Sequence, residues 1–310
     1  MMLFRYAILT VFVTFLLLLA GGLVHATGSS LACPDWPLCF GEVFPKMQGG
    51  VLYEHGHRLM ASLVAFLTFG LACWLWRNDQ GDRPMRYLGL GAFVLVLAQA
   101  GLGGLTVIFR LPLFVSATHL SVAMFFFGLL VYLTCRICYG PKIHAGAQHS
   151  RAWLLIALIA IYIQIVLGAL VRHTGAGLAC NIDIVLCNGA FWPDNGPGLL
   201  HMLHRVCGFA AGLAVCKAAW DAYRLGSQFR SVRMQMLSLA TVALLLVQIL
   251  LGFLTLVTYI AVPFVTAHLG GAALLLMTLL ILYLCGPVWL EAPKESSAPS
   301  QNLEVASVGT

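Results

Sequence analysis

Eight stretches of about twenty mostly apolar residues leave this chain little choice of fold. They run over about 6–26, 55–76, 87–108, 115–138, 152–171, 201–222, 235–258 and 265–286. As a helix rising about 1.5 Å per residue, each is long enough to cross a hydrocarbon core of about 30 Å. In lipid the backbone must satisfy its own polar groups, which continuous apolar runs do as helices. The weak alternation of an outer-membrane barrel is absent. Of 310 residues, 61% are hydrophobic and 9% charged, whereas about a quarter of a soluble domain is charged. The net charge of +6 comes without the long basic run that a nucleic-acid partner calls for, so the expected surroundings are membrane lipid. The predicted fold class is all-α integral membrane, with eight transmembrane helices.

Basic residues set the orientation. With the N-terminus inside, Arg5, Arg77, Arg83, Arg86, Arg136, Lys142, Arg151, Arg224, Arg230, Arg233 and Lys294 are cytoplasmic, and only Lys46, Arg110 and Arg172 lie in outside loops. That bias follows the positive-inside rule and makes both termini cytoplasmic. Residues 291–310, with two prolines and several serines, read as a disordered tail.

Residues 21–33 (GGLVHATGSSLAC) align without gaps to 168–180 (GALVRHTGAGLAC), identical at 8 of 13 positions. The first segment, which alone resembles a signal peptide, is thus the counterpart of the fifth and is expected to stay. The register continues through Cys39 and Cys187, His57-Arg58 and His204-Arg205, Gln99 and Gln248, His119 and His268, at offsets of 147–149. Four spans per half form a parallel repeat, about an axis along the membrane normal. The expected architecture is two pseudo-symmetric four-helix bundles over 1–140 and 141–290, with the tail at 291–310. Parallel repeats also occur in transporters, but their sites lie near the midplane.

His57, His119, His204 and His268 each stand near the outer start of an even-numbered span, at similar depth. Two neutral imidazoles facing each other inside a four-helix bundle form an axial pair for haem iron. A lone intramembrane histidine is often a hydrogen-bonded helix contact, but four in two matched pairs point to ligation. Zinc wants more N/S ligands, closer together. Arg58 and Arg205, each following the first histidine of a pair, suit haem propionates or simply snorkel to the interface. His144 and His149 fall in a cytoplasmic loop, and His25 and His173 at outer helix ends. His55 and His201 have no assigned role.

The halves differ one turn before the first histidine, where Glu54 corresponds to His201. A carboxylate at the membrane edge beside an iron ligand is costly. It serves either as a catalytic acid–base or as an anchor for Arg58 and the helix start. On the catalytic reading, the first half does chemistry and the second moves electrons. Cys33 and Cys39 share one outside loop, and Cys180 and Cys187 the equivalent one; in an oxidising compartment each pair reads as a disulfide. A redox-active thiol pair is the alternative for Cys33 and Cys39. The loop between them, with two prolines and a tryptophan, is suited to lie over the first site.

Together, Glu54-x-x-His57-Arg58, His119, His204-Arg205, His268 and the paired loop cysteines resemble the haem A synthase family over about residues 5–286. The resemblance implies oxidation of a ring methyl of haem O to a formyl group, by successive hydroxylations, for cytochrome oxidase. It implies a resident haem b on His204 and His268, and substrate haem O between His57 and His119, with Glu54 catalytic. The partners implied are haem O, haem O synthase as its supplier, and a quinone or other electron carrier, in a bacterial cell membrane. A homo-oligomer is compatible with so small a membrane enzyme. The competing expectation is a dihaem b-type electron-transfer cytochrome linked to quinol, which needs no acid beside only one haem.

Overall fold

A computed structural model describes residues 1–77, 83–141 and 148–290, apart from the side chains of 148–150. The expected tail, Lys142, His144 and the His149 side chain lie outside the described residues. Among those described there are eight long helices: α1 (Met2–Ala26), α2 (Gly50–Arg77), α3 (Arg83–Ile108), α4 (Leu113–Tyr139), α5 (Gln148–His173), α6 (Gly196–Gln228), α7 (Val232–Val257) and α8 (Val262–Leu290). All eight are long and apolar enough to cross a membrane, and the protein is an all-α multi-pass membrane protein.

The helices outrun the predicted spans because hydropathy sees only the part in lipid. α6 starts at Gly196 rather than near 201: the Asn195 side chain caps it by accepting from the Gly198 amide at 2.7 Å, and proline enters in the first turn, where its missing N–H costs nothing. Inside the spans, hydroxyls fold back on their own helices. Thr10 Oγ1 donates to the Tyr6 carbonyl at 2.9 Å and Thr14 Oγ1 to that of Thr10 at 2.7 Å, so these two hydroxyls do not face hydrocarbon unpaired.

In the first four helices the neighbours are α1–α2, α2–α3, α3–α4 and α1–α4, and the last four repeat this as α5–α6, α6–α7, α7–α8 and α5–α8. The two sets meet through α1–α8, α4–α5 and α4–α8. α1 therefore packs against three helices, as the counterpart of α5 should. One apolar core, around Val64, Leu71, Ala92 and Leu130, lies within the first four helices. The other joins α5, α6 and α8 to α4 around Phe127, Ala157, Ala218 and Leu279. Small residues such as Ala157, Ala211, Ala218 and Ala222 let α5 and α6 approach closely, which is where dispersion stabilises helix pairs in lipid. Outward, Phe66, Val94, Phe125 and Phe209 are exposed, as lipid-facing residues are.

All four α1–α2, α3–α4, α5–α6 and α7–α8 connections open at the same end of the bundle. That end carries both cysteine loops and all four histidines, each within about two turns of its helix start.

Candidate functional site

The structure brings the sequence-predicted histidines together in two pairs. His57 on α2 and His119 on α4 are near enough to interact electrostatically, as are His204 on α6 and His268 on α8. Each ring lies against a glycine of the preceding helix. A methyl group added at Gly21, Gly103, Gly168 or Gly252 would stand 3.0, 3.2, 3.2 or 3.1 Å from Cε1 of His57, His119, His204 or His268. The four glycines keep the register of the histidines, so each imidazole has the same slot. Glutamines fix the backbone beneath. Gln99 Nε2 donates to the His119 carbonyl at 2.5 Å, and Gln248 Nε2 to that of His268 at 2.9 Å. Gln164 Nε2 does the same for His204 at 2.8 Å, whereas the matching residue in the first half is Leu17.

Gly103→Ala and Gly252→Ala must push their histidine rings aside by a few tenths of an ångström. Each is expected to weaken about tenfold the hold of its own histidine pair on haem, the first pair for Gly103→Ala and the second for Gly252→Ala, the lower range for disturbing a ligand's support. Gly91→Ala, where nothing lies within 4 Å, is expected to leave it unchanged. The ratio of each extracted haem to protein after purification measures all three.

Glu54 is buried at the start of α2 with both oxygens engaged. Oε1 meets Arg58 Nη2 at 2.6 Å and Oε2 accepts from the Cys33 amide at 2.8 Å. Arg58 Nη1 donates to the Asp35 carbonyl at 2.7 Å and the Leu38 carbonyl at 2.5 Å. Glutamate, arginine and the first cysteine loop are thus one unit clamped over His57. In the second half Arg205 Nη1 likewise donates to the Ile184 and Leu186 carbonyls, both at 3.2 Å. With His201 in place of Glu54, Arg205 Nη2 is buried without a partner among the described residues.

Both cysteine pairs are disulfides, Cys33–Cys39 and Cys180–Cys187. Each second cysteine closes the same small bridge, Cys39 with Glu42 and Cys187 with Ala190. In the first loop Asp35 accepts from the amides of Gly41 at 2.8 Å and Phe40 at 2.7 Å; these amides, Gly41 foremost, hold its carboxyl below the usual aspartate range. Trp36 lays its ring on Gly104 of α3, beside the glycine that backs His119. The loop thus reaches α3 through Trp36 and α2 through Glu54 and Arg58. Cys180→Ser opens a ring of only a few residues, and a loss of about 2 kcal/mol in unfolding free energy is expected from loop-closure entropy, measurable by chemical denaturation in detergent.

One contact at this end has no counterpart in the repeat. His25 and His173 stack at a ring-centroid distance of 4.6 Å, with Nε2 and Nδ1 3.1 Å apart, joining the ends of α1 and α5. They are not repeat equivalents, since His25 aligns with Arg172, so the internal alignment gave no signal.

This donor set suits haem iron. It offers paired imidazoles in glycine slots, the buried Nδ1 atoms of His57 and His119 lack partners among the described residues, and an unpaired arginine nitrogen stands beside the second pair. A family profile described as "COX15-CtaA: Cytochrome oxidase assembly protein" matches residues 4–52 and 47–280. Among similar proteins, the "Heme A synthase" of Shouchella clausii is 32% identical over 299 residues, covering 92% of this chain and 96% of its own length. Those of Alkalihalophilus pseudofirmus and Halalkalibacterium halodurans are 32% and 31% identical, over 66% and 70% of this chain and 70% and 75% of theirs. These relatives favour a haem-modifying enzyme over a dihaem electron-transfer cytochrome, and the chain belongs to the COX15-CtaA family of cytochrome oxidase assembly proteins, the haem A synthases.

Proposed function

We propose that this chain converts haem O to haem A, oxidising one ring methyl to a formyl group in the first four-helix half, residues 1–140, while the second, 141–290, carries a resident haem b. The observation that carries the division is the contrast one turn before the first histidine. The buried Glu54–Arg58 unit is tied to a disulfide loop in one half, and His201 with an unpaired Arg205 nitrogen stands in the other.

His204 and His268 would hold haem b, whose chemistry is one-electron transfer, and Arg205 Nη2 would meet a propionate as a charge-assisted pair. His57 and His119 would flank haem O and fix its plane. A propionate meeting Arg58 would compete with Glu54 and the loop for the guanidinium, which would weaken its hold on the carboxylate. Glu54 would then take a proton from the water that supplies the oxygen, within reach of the methyl. Each hydroxylation removes an electron pair and the doubly hydroxylated carbon loses water to leave the aldehyde. Trp36 and the disulfide loop exclude bulk water from that face.

The orientation follows the basic residues, with both termini cytoplasmic in a bacterial cell membrane and the histidine end outside. Haem O synthase as supplier, a quinone or similar carrier as electron acceptor, and a homo-oligomeric state complete the proposal. The test is incubation of the purified protein with haem O and an electron acceptor, followed by pigment extraction and mass detection. Formyl-bearing haem that grows with time supports the reading; haem O recovered unchanged by a folded, haem b-loaded protein contradicts it.

A further inference from the structure

Among the imidazoles at the histidine end that belong to neither pair, one lies against a disulfide. His55 follows Glu54 on α2, is only 3% exposed, and packs against the first disulfide. Its Nε2 lies 2.8 Å from the Val43 carbonyl oxygen. A carbonyl can only accept, so Nε2 carries the proton and Nδ1 keeps a bare lone pair. That Nδ1 is buried and has no partner among the described residues. One ring nitrogen of His55 and the Sγ atoms of Cys33 and Cys39 all lie within 4.8 Å of one another, and all three residues are buried.

The second half supplies an internal control. The residue in register with His55 is Met202, which forms a small apolar cluster with Cys180 and Cys187. A disulfide that is only a strut is well served by such a neighbour. Burying a lone pair there instead costs free energy without any packing gain. An imidazole whose N–H is held by a backbone carbonyl and whose other nitrogen is free is the arrangement that metal-ligating histidines adopt.

We propose that reduction of Cys33–Cys39 opens a three-ligand site for a thiophilic divalent metal such as zinc(II), made of the two cysteine sulfurs and His55 Nδ1. A dithiol reductant breaks the S–S bond; two S–H groups form, and the reductant leaves as its own disulfide. The metal ion then displaces both thiol protons, which pass to water, and His55 donates its lone pair. The fourth tetrahedral position stays open to water. The oxidised loop has no thiolate to offer and binds no metal. In the reduced protein the metal replaces the disulfide as the clasp of the loop, and so keeps the Cys33 amide and the Leu38 carbonyl near Glu54 and Arg58. This inference stands apart from the haem reading.

The test uses the full chain in detergent with Cys180→Ser and Cys187→Ser, so that the first pair is the one disulfide left to reduce, and the oxidised protein is the blank for the six free cysteines, which are thiols in both states. Cobalt(II) is the probe, followed by competition with zinc(II). The reduced protein is expected to show, over the oxidised blank, an added thiolate-to-cobalt charge-transfer band that saturates at one equivalent and is bleached by zinc. His55→Met, which copies the second half, is expected to weaken zinc binding at least ~100-fold, since losing a ligand exceeds the usual loss from disturbing its support. His55→Gln, which keeps a polar group in the same space, is expected to weaken it similarly. No added charge-transfer band on reduction would overturn the proposal, as would unchanged zinc affinity in whichever variant remains monodisperse.

Discussion

Glu54→Ala is expected to stop haem A formation while the protein still purifies with haem b. A positioned acid–base contributes roughly 10²–10⁴-fold to rate, so the turnover that remains should lie at least ~100-fold below the parent. Alanine also leaves Arg58 without its carboxylate in a buried setting, and breaking a buried pair costs about 3–5 kcal/mol. Loss of activity by alanine alone could therefore reflect a loosened loop. Glu54→Gln separates the two effects. Its amide oxygen can still accept from the Cys33 N–H, which Glu54 now does at 2.8 Å, while the proton-accepting function is gone. A glutamine variant with an intact first disulfide, normal haem b and no haem A assigns Glu54 to the chemistry. A glutamine variant with normal haem A formation assigns it to anchoring Arg58. Pigment analysis of membranes from cells that make haem O reads both outcomes.

The second large effect separates the halves. His204→Ala and His268→Ala each remove one of two axial nitrogens and are expected to cost at least ~100-fold in haem b retention, beyond the range for a supporting residue. His57→Ala and His119→Ala are expected to leave haem b in place and to abolish conversion of haem O. The asymmetry is the informative part, because the four histidines occupy matching glycine slots and a purely structural role would make the four variants alike. Reduced-minus-oxidised spectra of each purified variant measure the haem b, and extraction measures the product. Equal loss of haem b in all four would mean that both pairs hold the same resident group.

Much of this was legible in the sequence, for a definite physical reason. Lipid forces every crossing segment to satisfy its own backbone, so eight apolar runs translate directly into α1–α8. The internal repeat then supplied a second copy against which each polar residue could be compared. That comparison singled out the four histidines, both disulfides and Glu54. It failed where a role depends on what faces a residue across the bundle. Gly21 and Gly252 look like ordinary small residues in apolar helices until the structure sets imidazoles against them. His55 went unassigned because its partners, Val43 and the first disulfide, are brought to it by the fold of the loop. Arg58 reads in the sequence as a propionate partner, a snorkelling cation or a charge anchored by Glu54; the ion pair with Glu54 is present, and the loop carbonyls its guanidinium also holds are brought to it by the fold of the loop. The His25–His173 contact joins non-equivalent positions, so no repeat alignment could have flagged it.

The central claim is that one half of a duplicated fold holds a haem and the other transforms one. It is tested most directly by extracting the pigments of the protein purified from a host that makes haem O and resolving them by chromatography with mass detection. Haem b is expected together with haem O or its oxidised products, with the non-b fraction lost in His57→Ala and the b fraction lost in His204→Ala. Haem b alone, filling both sites equally, would contradict it.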